Sequence, residues 1–119
     1  MDNDMTTSVV YRIATVAEWR SAQETGSVPQ RDIDVKDGYM HLSTKSQALE
    51  TANIHFAGHK DLLLLEIPIT SIAEFVKFEL APKRGEEFPH LYASLKAADI
   101  ARVVRLIDTP DGFKFGECL

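Results

Sequence analysis

The sequence predicts an α+β domain, and three observations carry that expectation. Six or seven short β-forming segments are spread along the chain, two capped helices lie near its front, and 119 residues is the length of one domain. The mixed order, with helices early and strands late, argues against a regular βαβ alternation.

Residues 1–7 are polar and read as an N-terminal tail, with Met5 an alternative start, leaving 8–119 as the single domain. The stretch from Ser8 to Ala14 reads as a strand with Val9, Tyr11 and Ile13 on one face and Val10 and Arg12 on the other. Thr15 and Glu18 have the spacing of a capping box, and Val16 to Thr25 follows as a helix with Val16, Trp19, Ala22 and Gln23 inward. Gly26 ends it through a left-handed turn. Ser27 to Lys36 reads as a polar loop, and Asp37-Gly38 as a turn. Tyr39 to Ser43 alternates as a strand, with Tyr39, His41 and Ser43 sharing a face. Thr44 caps a second helix, with Gln47 at the box position, running to His55 or Phe56 before Gly58.

Asp61 to Ile67 reads as a buried central strand closed by Pro68. Ile72 to Phe75 suits a helical turn, Val76 to Leu80 a strand, and Pro82 to Glu87 a charged loop that could act as a lid. Phe88 to Leu95 is a short extended piece and Ala97 to Ile100 a helical turn. Arg102 to Ile107 and Phe113 to Phe115 are the last strands, joined by the turn Pro110-Asp111-Gly112.

Composition excludes several function classes. Hydrophobic residues are 45% and charged residues 26%, an ordinary globular balance. A formal charge of −5 gives no general field for nucleic acid. The longest apolar run, Leu62 to Leu65, is far too short to span a membrane, and no secretory signal opens the chain. One cysteine, Cys118, allows no internal disulfide. These features together point to a cytoplasmic location.

The informative residues are polar side chains inside otherwise apolar strands. Arg12 lies mid-strand, His41 and Ser43 share a face with Tyr39 beside them, and His90 shares a face with Tyr92. A guanidinium, two imidazoles, a hydroxyl and two phenol rings suit a phosphate- or ribose-bearing ligand. Structural roles compete for each of them: Arg12 on a solvated face, His41 as a satisfied strand histidine, the tyrosines as packing, Ser43-Thr44 as a helix cap. Glu66 and Glu79 sit in strands and are candidate acids, with structural pairing the default. His55 and His59 have an i, i+4 spacing, but Gly58 intervenes and no thiol or acid completes a metal set. Cys118 stands in a terminal tail with no activating neighbour in sequence. No metal site is expected, and the six glycines form no phosphate loop.

In order along the chain, Tyr11-Arg12-Ile13 and a Trp-containing helix precede the segment Asp37-Gly38-Tyr39-Met40-His41-Leu42-Ser43-Thr44. Leu62 to Ile67 and Phe88-Pro89-His90-Leu91-Tyr92 follow. From about Val9 to Leu106 the chain therefore resembles the bacterial domain-of-unknown-function family 952. The resemblance implies an ADP-ribosyltransferase-like fold: a compact domain of two small antiparallel sheets meeting at a cleft that holds NAD as substrate. It places Arg12 as the first-strand anchor for ribose or phosphate, where relatives often carry His or Lys. His41 and His90 become the catalytic pair, with Tyr39, Ser43 and Tyr92 lining the nucleotide site. Two departures stand out. Ala93 replaces a glycine usual after the third motif, and no Glu falls inside a matched motif as the transferase acid. A relative of that fold, RNA 2'-phosphotransferase, relies on basic residues instead.

Two functions follow. One is an ADP-ribosyltransferase-like enzyme acting on NAD or a related nucleotide, with Arg12 on phosphate and the two histidines on ribose or as acid and base. The alternative is a non-catalytic module of the same fold that binds a metabolite or a protein.

Overall fold

Strand β1 (Val9–Thr15) is buried along its middle five residues, on both faces, and the architecture follows from that. A computed structural model describes residues 8–119; the expected tail, 1–7, lies outside the described residues. Strand β1 pairs antiparallel with β3 (Leu62–Pro68), and β3 with β6 (Arg102–Thr109). Strand β6 then pairs with β7 (Gly112–Cys118), giving a four-stranded sheet of order β1-β3-β6-β7. A second antiparallel sheet has the order β2-β5-β4, from β2 (Met40–His41), β5 (Glu86–Leu91) and β4 (Val76–Ala81). The α+β class with two antiparallel sheets is thus as the sequence predicts.

Period-two alternation divides the core. Tyr11, Ile13, Leu62 and Leu64 pack with Ala48 and Ala52 of helix α3 (Lys45–His55) on one face of the larger sheet. Val10, Ala14, Leu63 and Leu65 pack on the other face with Ala22 of helix α1 (Val16–Thr25) and with Met40 and Leu91 of the second sheet. Strand β3 is buried on both faces because it lies between helix and sheet, which is why it reads as Leu-Leu-Leu-Leu-Glu-Ile rather than as an alternation. Arg12 belongs to the second face, in the layer between the sheets, and is 1% exposed. It is therefore not on a solvated face.

Among the described residues a backbone bridge ties the larger sheet to the segment that follows β2. The Tyr11 amide donates to the Ser43 carbonyl at 2.7 Å, and the Ser43 amide to the Tyr11 carbonyl at 2.8 Å. Ser43 is buried, and its backbone fixes the distance between the sheets.

Both capping boxes form as expected. Thr15 Oγ1 accepts from the Glu18 amide, and Glu18 returns the bond to Thr15. Thr44 and Gln47 do the same for α3. Gly26 takes φ 93°, the left-handed cap that a side chain would strain. Gln23 is exposed rather than inward, while Val16 and Trp19 pack on the core.

Several segments depart from the sequence reading. The expected loop from Ser27 to Lys36 contains a third helix, α2 (Asp32–Asp37), so three α-helices rather than two stand among the described residues. Two turns are too few to show periodicity, and the helix is held by the local Arg31–Asp34 cap bond and by the tertiary pair of Asp34 with Arg12. The extended stretch at Tyr39 to Ser43 is a strand only at Met40–His41. A 3₁₀ turn falls on Ile69–Ser71, just ahead of the helical turn expected at Ile72. Glu86 and Glu87 belong to β5, so the charged loop shrinks to a tight hairpin turn with Gly85 at φ 71°. Strand β7 runs on to Cys118, which is exposed but pinned in a sheet rather than in a tail. No helix among the described residues is long and apolar enough to cross a membrane.

Candidate functional site

The register of the smaller sheet assembles the site. His41 on β2 stands opposite His90 on β5, and His90 stands opposite Lys77 on β4. Side chains two apart share a face, so Tyr92 joins His90, and Glu79 joins Lys77. Tyr39, just before β2, lays its ring on His90 with centroids 3.9 Å apart and planes at 16°. It also meets His41 at 4.6 Å and Tyr92 at 5.4 Å. His41, His90, Tyr39 and Tyr92, drawn from two separate sequence motifs, are therefore one ring cluster.

Glu79 completes that cluster. Its Oε1 accepts from the Tyr92 hydroxyl at 2.5 Å and lies 2.8 Å from His90 Nδ1. The hydrogen bond from Tyr92 and then that from His90 hold the Glu79 carboxyl below its ordinary value, so it is an anion near neutral pH. The same bond pushes the Tyr92 phenol up to about 12. Lys77 Nζ sits 5.3 Å above the Tyr92 ring.

Beneath the rings lies a sealed ionic floor. Arg12 donates to both carboxylate oxygens of Asp34, at 3.1 and 2.7 Å, and to the His41 carbonyl at 3.1 Å. Its side chain is 1% exposed and that of Asp34 fully buried. Asp34 also accepts from the Arg31 amide at 2.7 Å and the His41 amide at 3.1 Å, and lies 2.7 Å from His41 Nδ1. Burial alone would raise its pKa, but bonds from His41 and Arg12 and the Arg12 charge hold it well below the carboxylate range. His41 reaches a second carboxylate through Nε2, 2.9 Å from Asp37 Oδ2. Burial pulls the His41 pKa down, yet hydrogen bonds to Asp34 and Asp37 outweigh it and the net shift is upward. With an anion at each ring nitrogen, His41 is best satisfied as an imidazolium donating twice. A second clamp lies beside the floor, where Arg31 grips Glu18 at 2.7 and 3.0 Å and the Ile13 carbonyl at 2.6 Å.

Of the residues singled out in the sequence, His41, His90, Tyr39 and Tyr92 converge. Arg12 lies beneath them with its guanidinium turned to Asp34 and the His41 carbonyl, and Ser43 bridges the sheets through its backbone. Glu66 is away on the larger sheet, where Arg102 and Tyr11 hold it. Asp34, Asp37 and Lys77 escaped sequence reasoning. The Asp34 side-chain partners Arg12 and His41 sit 22 and 7 residues away, and no local pattern announces them. The Lys-Phe-Glu alternation at 77–79 was a legible signal for two charges on one strand face. Two hollows, of about 370 Å³ beside Ser71 and Lys96 and about 310 Å³ beside Lys60 and Arg105, lie away from these rings. Among the described residues no group of three His, Cys, Asp or Glu has a metal-holding arrangement.

A fold of two bridged antiparallel sheets, with a ring cluster on the smaller one, defines the class. The chain belongs to the family described as "Protein of unknown function (DUF952)", whose model matches residues 13–103. It is similar to protein CC0527 from Caulobacter crescentus, whose crystal structure aligns with a TM-score of 0.80 at 35% identity, covering 88% of this chain and 91% of that one. The solution structure of the same protein aligns with a TM-score of 0.78 at 35% identity, covering 89% and 90%. No curated protein matches the chain.

Proposed function

We propose that the face formed by Tyr39, His41, Glu79, His90 and Tyr92 binds the nicotinamide end of NAD or of a related nucleotide, and that the protein is an ADP-ribosyltransferase-like enzyme. The observation that carries this reading is the Glu79 carboxylate, held by His90 and Tyr92 at the edge of the stacked rings. Aromatic faces beside carboxylates attract a flat cation, and a pyridinium ring joined to ribose is one. In the transfer step the bond from the ribose C1' to the pyridinium nitrogen breaks, and its electron pair neutralises the leaving nicotinamide. Positive charge moves to the ribose, where the Glu79 anion stabilises it. An acceptor lone pair then forms the new bond to C1', and Glu79 takes the acceptor's proton. Glu79 thus supplies the acid that the matched motifs lack. Arg12 acts as a positioning residue through Asp34 and the His41 carbonyl, so phosphate contact falls to rim cations such as Lys77.

A protein-observed NMR titration of the chain with NAD, ADP-ribose and nicotinamide tests binding, and nicotinamide release tests turnover. Shifts clustered at His90, Tyr92 and Tyr39, with release lost in Glu79→Gln, are expected. Silence at all three positions with ligand at about 1 mM, the weak limit of a specific site, overturns the reading.

One observation favours the alternative of a non-catalytic module. Tyr39 already covers one face of His90, so a ligand must displace it or stack on Tyr92. Saturable shifts with no released nicotinamide from any nucleotide would decide for the module.

A further inference from the structure

Strand β4 is the outer strand of the smaller sheet, and its sequence is self-complementary. Tyr92 donates its amide to the Phe75 carbonyl, so by antiparallel alternation Lys77 and Glu79 turn their backbone groups toward β5. The amide and carbonyl of Phe78 and of Leu80 then face an edge that no described strand covers. Pro89, which has no amide, stands opposite Phe78, as that alternation requires. The edge is also apolar: Phe78 is 38% and Leu80 60% exposed. Exposed edges of this kind are usually guarded by charge, and here a lysine and a glutamate stand two residues apart on the same face.

We infer that two copies of this chain pair through β4 in antiparallel register about a two-fold axis at Phe78, and that each copy's Lys77 completes the site of the other. In that register Phe78 meets Phe78 through two backbone hydrogen bonds, and Val76 meets Leu80 on the core-side face. On the opposite face Lys77 stands against Glu79 of the second copy, twice, by symmetry. Every cross-strand pair is like-apolar or opposite in charge, whereas a shift of one residue sets Lys77 against Leu80 and Phe78 against Glu79. The 77–79 pairs fall at the closely spaced, non-hydrogen-bonded positions, where side chains are in contact. The occupant is therefore a second copy: the charges and the apolar residues match only under the two-fold. Glu79 is also the carboxylate on His90 and Tyr92, so the second copy's ammonium arrives at the rim of the ring cluster. It supplies there the cation for a nucleotide phosphate that the buried Arg12 does not. This last step rests on the nucleotide reading; the pairing itself does not.

Sedimentation equilibrium without nucleotide tests the pairing, so failure of the nucleotide reading leaves it untouched. The mass of the wild-type chain is expected to rise from 13.3 kDa toward twofold as concentration approaches about 1 mM, the range of weak, transient interfaces. Phe78→Pro removes the outward amide together with the half-exposed ring and should stay monomeric with an unchanged circular dichroism spectrum. Leu80→Lys should do the same by setting an ammonium against the apolar Val76 of the second copy, and it decides alone if the proline variant misfolds. Isotope-filtered NOEs between Val76 of one copy and Leu80 of the other are expected at this register. A wild-type chain that remains at 13.3 kDa overturns the inference. Dimers that persist in both variants, or that lack the Val76–Leu80 NOE, overturn it too. With the dimer established, Lys77→Ala should weaken NAD shifts at His90 in the dimer; loss of dimer alone and loss of nucleotide binding alone are thus read separately.

Discussion

Two carboxylates a short distance apart in this fold lead opposite lives. Asp34 is fully buried and receives a guanidinium, an imidazole and two backbone amides. Glu79 has a side chain 39% exposed and receives one phenol and one imidazole. Both are held below the ordinary carboxylate range, but by different means. In the floor, low dielectric makes each pairing obligatory, because any partner left alone is a buried charge. At the rim, water can replace a lost partner, so the pairing serves orientation more than stability. The floor fixes where His41 stands, and the rim carries the groups of the proposed ligand face.

The largest test of that contrast removes the floor's anion. Asp34→Asn leaves the Arg12 guanidinium buried without its counter-charge and should cost about 3–5 kcal/mol, read as a lowered urea midpoint. In a domain whose total stability is about 5–15 kcal/mol, that is close to unfolding. A loss below about 1 kcal/mol, the range of surface pairs, would mean the floor behaves as a rim.

Glu79→Gln is the matching change above. Stability should hardly move, as for surface substitutions. Nicotinamide release should fall about 100-fold or more, the scale of losing one preorganised electrostatic partner. A large drop in thermal midpoint would instead make Glu79 structural.

His41 connects floor and rim, and its response to pH sharpens the comparison. Its pKa in the folded protein is raised above the ordinary 6.5, so the folded state binds more protons than the unfolded one through that window. Its stabilising contribution is therefore complete below about pH 6.5 and is lost as pH rises through the raised value. Denaturation at pH 6 and at pH 9 should show that decline, and His41→Asn should flatten it. A ring titration by NMR at or below the ordinary value would contradict the double carboxylate clamp.

A modest effect is expected at the α1 cap, whose Glu18 also meets Arg31 beside the floor. Thr15→Ala removes the α1 cap and should cost about 1 kcal/mol, seen as a drop of a few degrees in thermal midpoint. The site should not notice.

Much of the frame was legible because it is written in local patterns. The Thr15–Glu18 and Thr44–Gln47 boxes start the helices they foretell, and the all-apolar β3 is central as its pattern implies. Helix α2 was not legible, since six residues give no periodicity and Asp34 is tied to Arg12 on a distant strand. The candidate site was half legible. His41, Tyr39, His90 and Tyr92 announce themselves as polar or aromatic groups in apolar strands, and they do converge. Arg12 was seen, but its burial was not: a strand position names its face, not what covers that face. Here the covering layer is α2 and the second sheet.

By itself, then, the sequence determined most of the strands, two of the three described helices and where those two begin, and which polar residues stand out, because caps and side-chain alternation act over a few residues. The tertiary structure decided that Asp34 meets Arg12 across 22 positions, that Glu79 reaches His90 across 11, and that the Tyr11–Ser43 bridge holds the sheets together. Those outcomes depend on strand register and layer packing, which are set by the burial of the whole core and by no local pattern of residues.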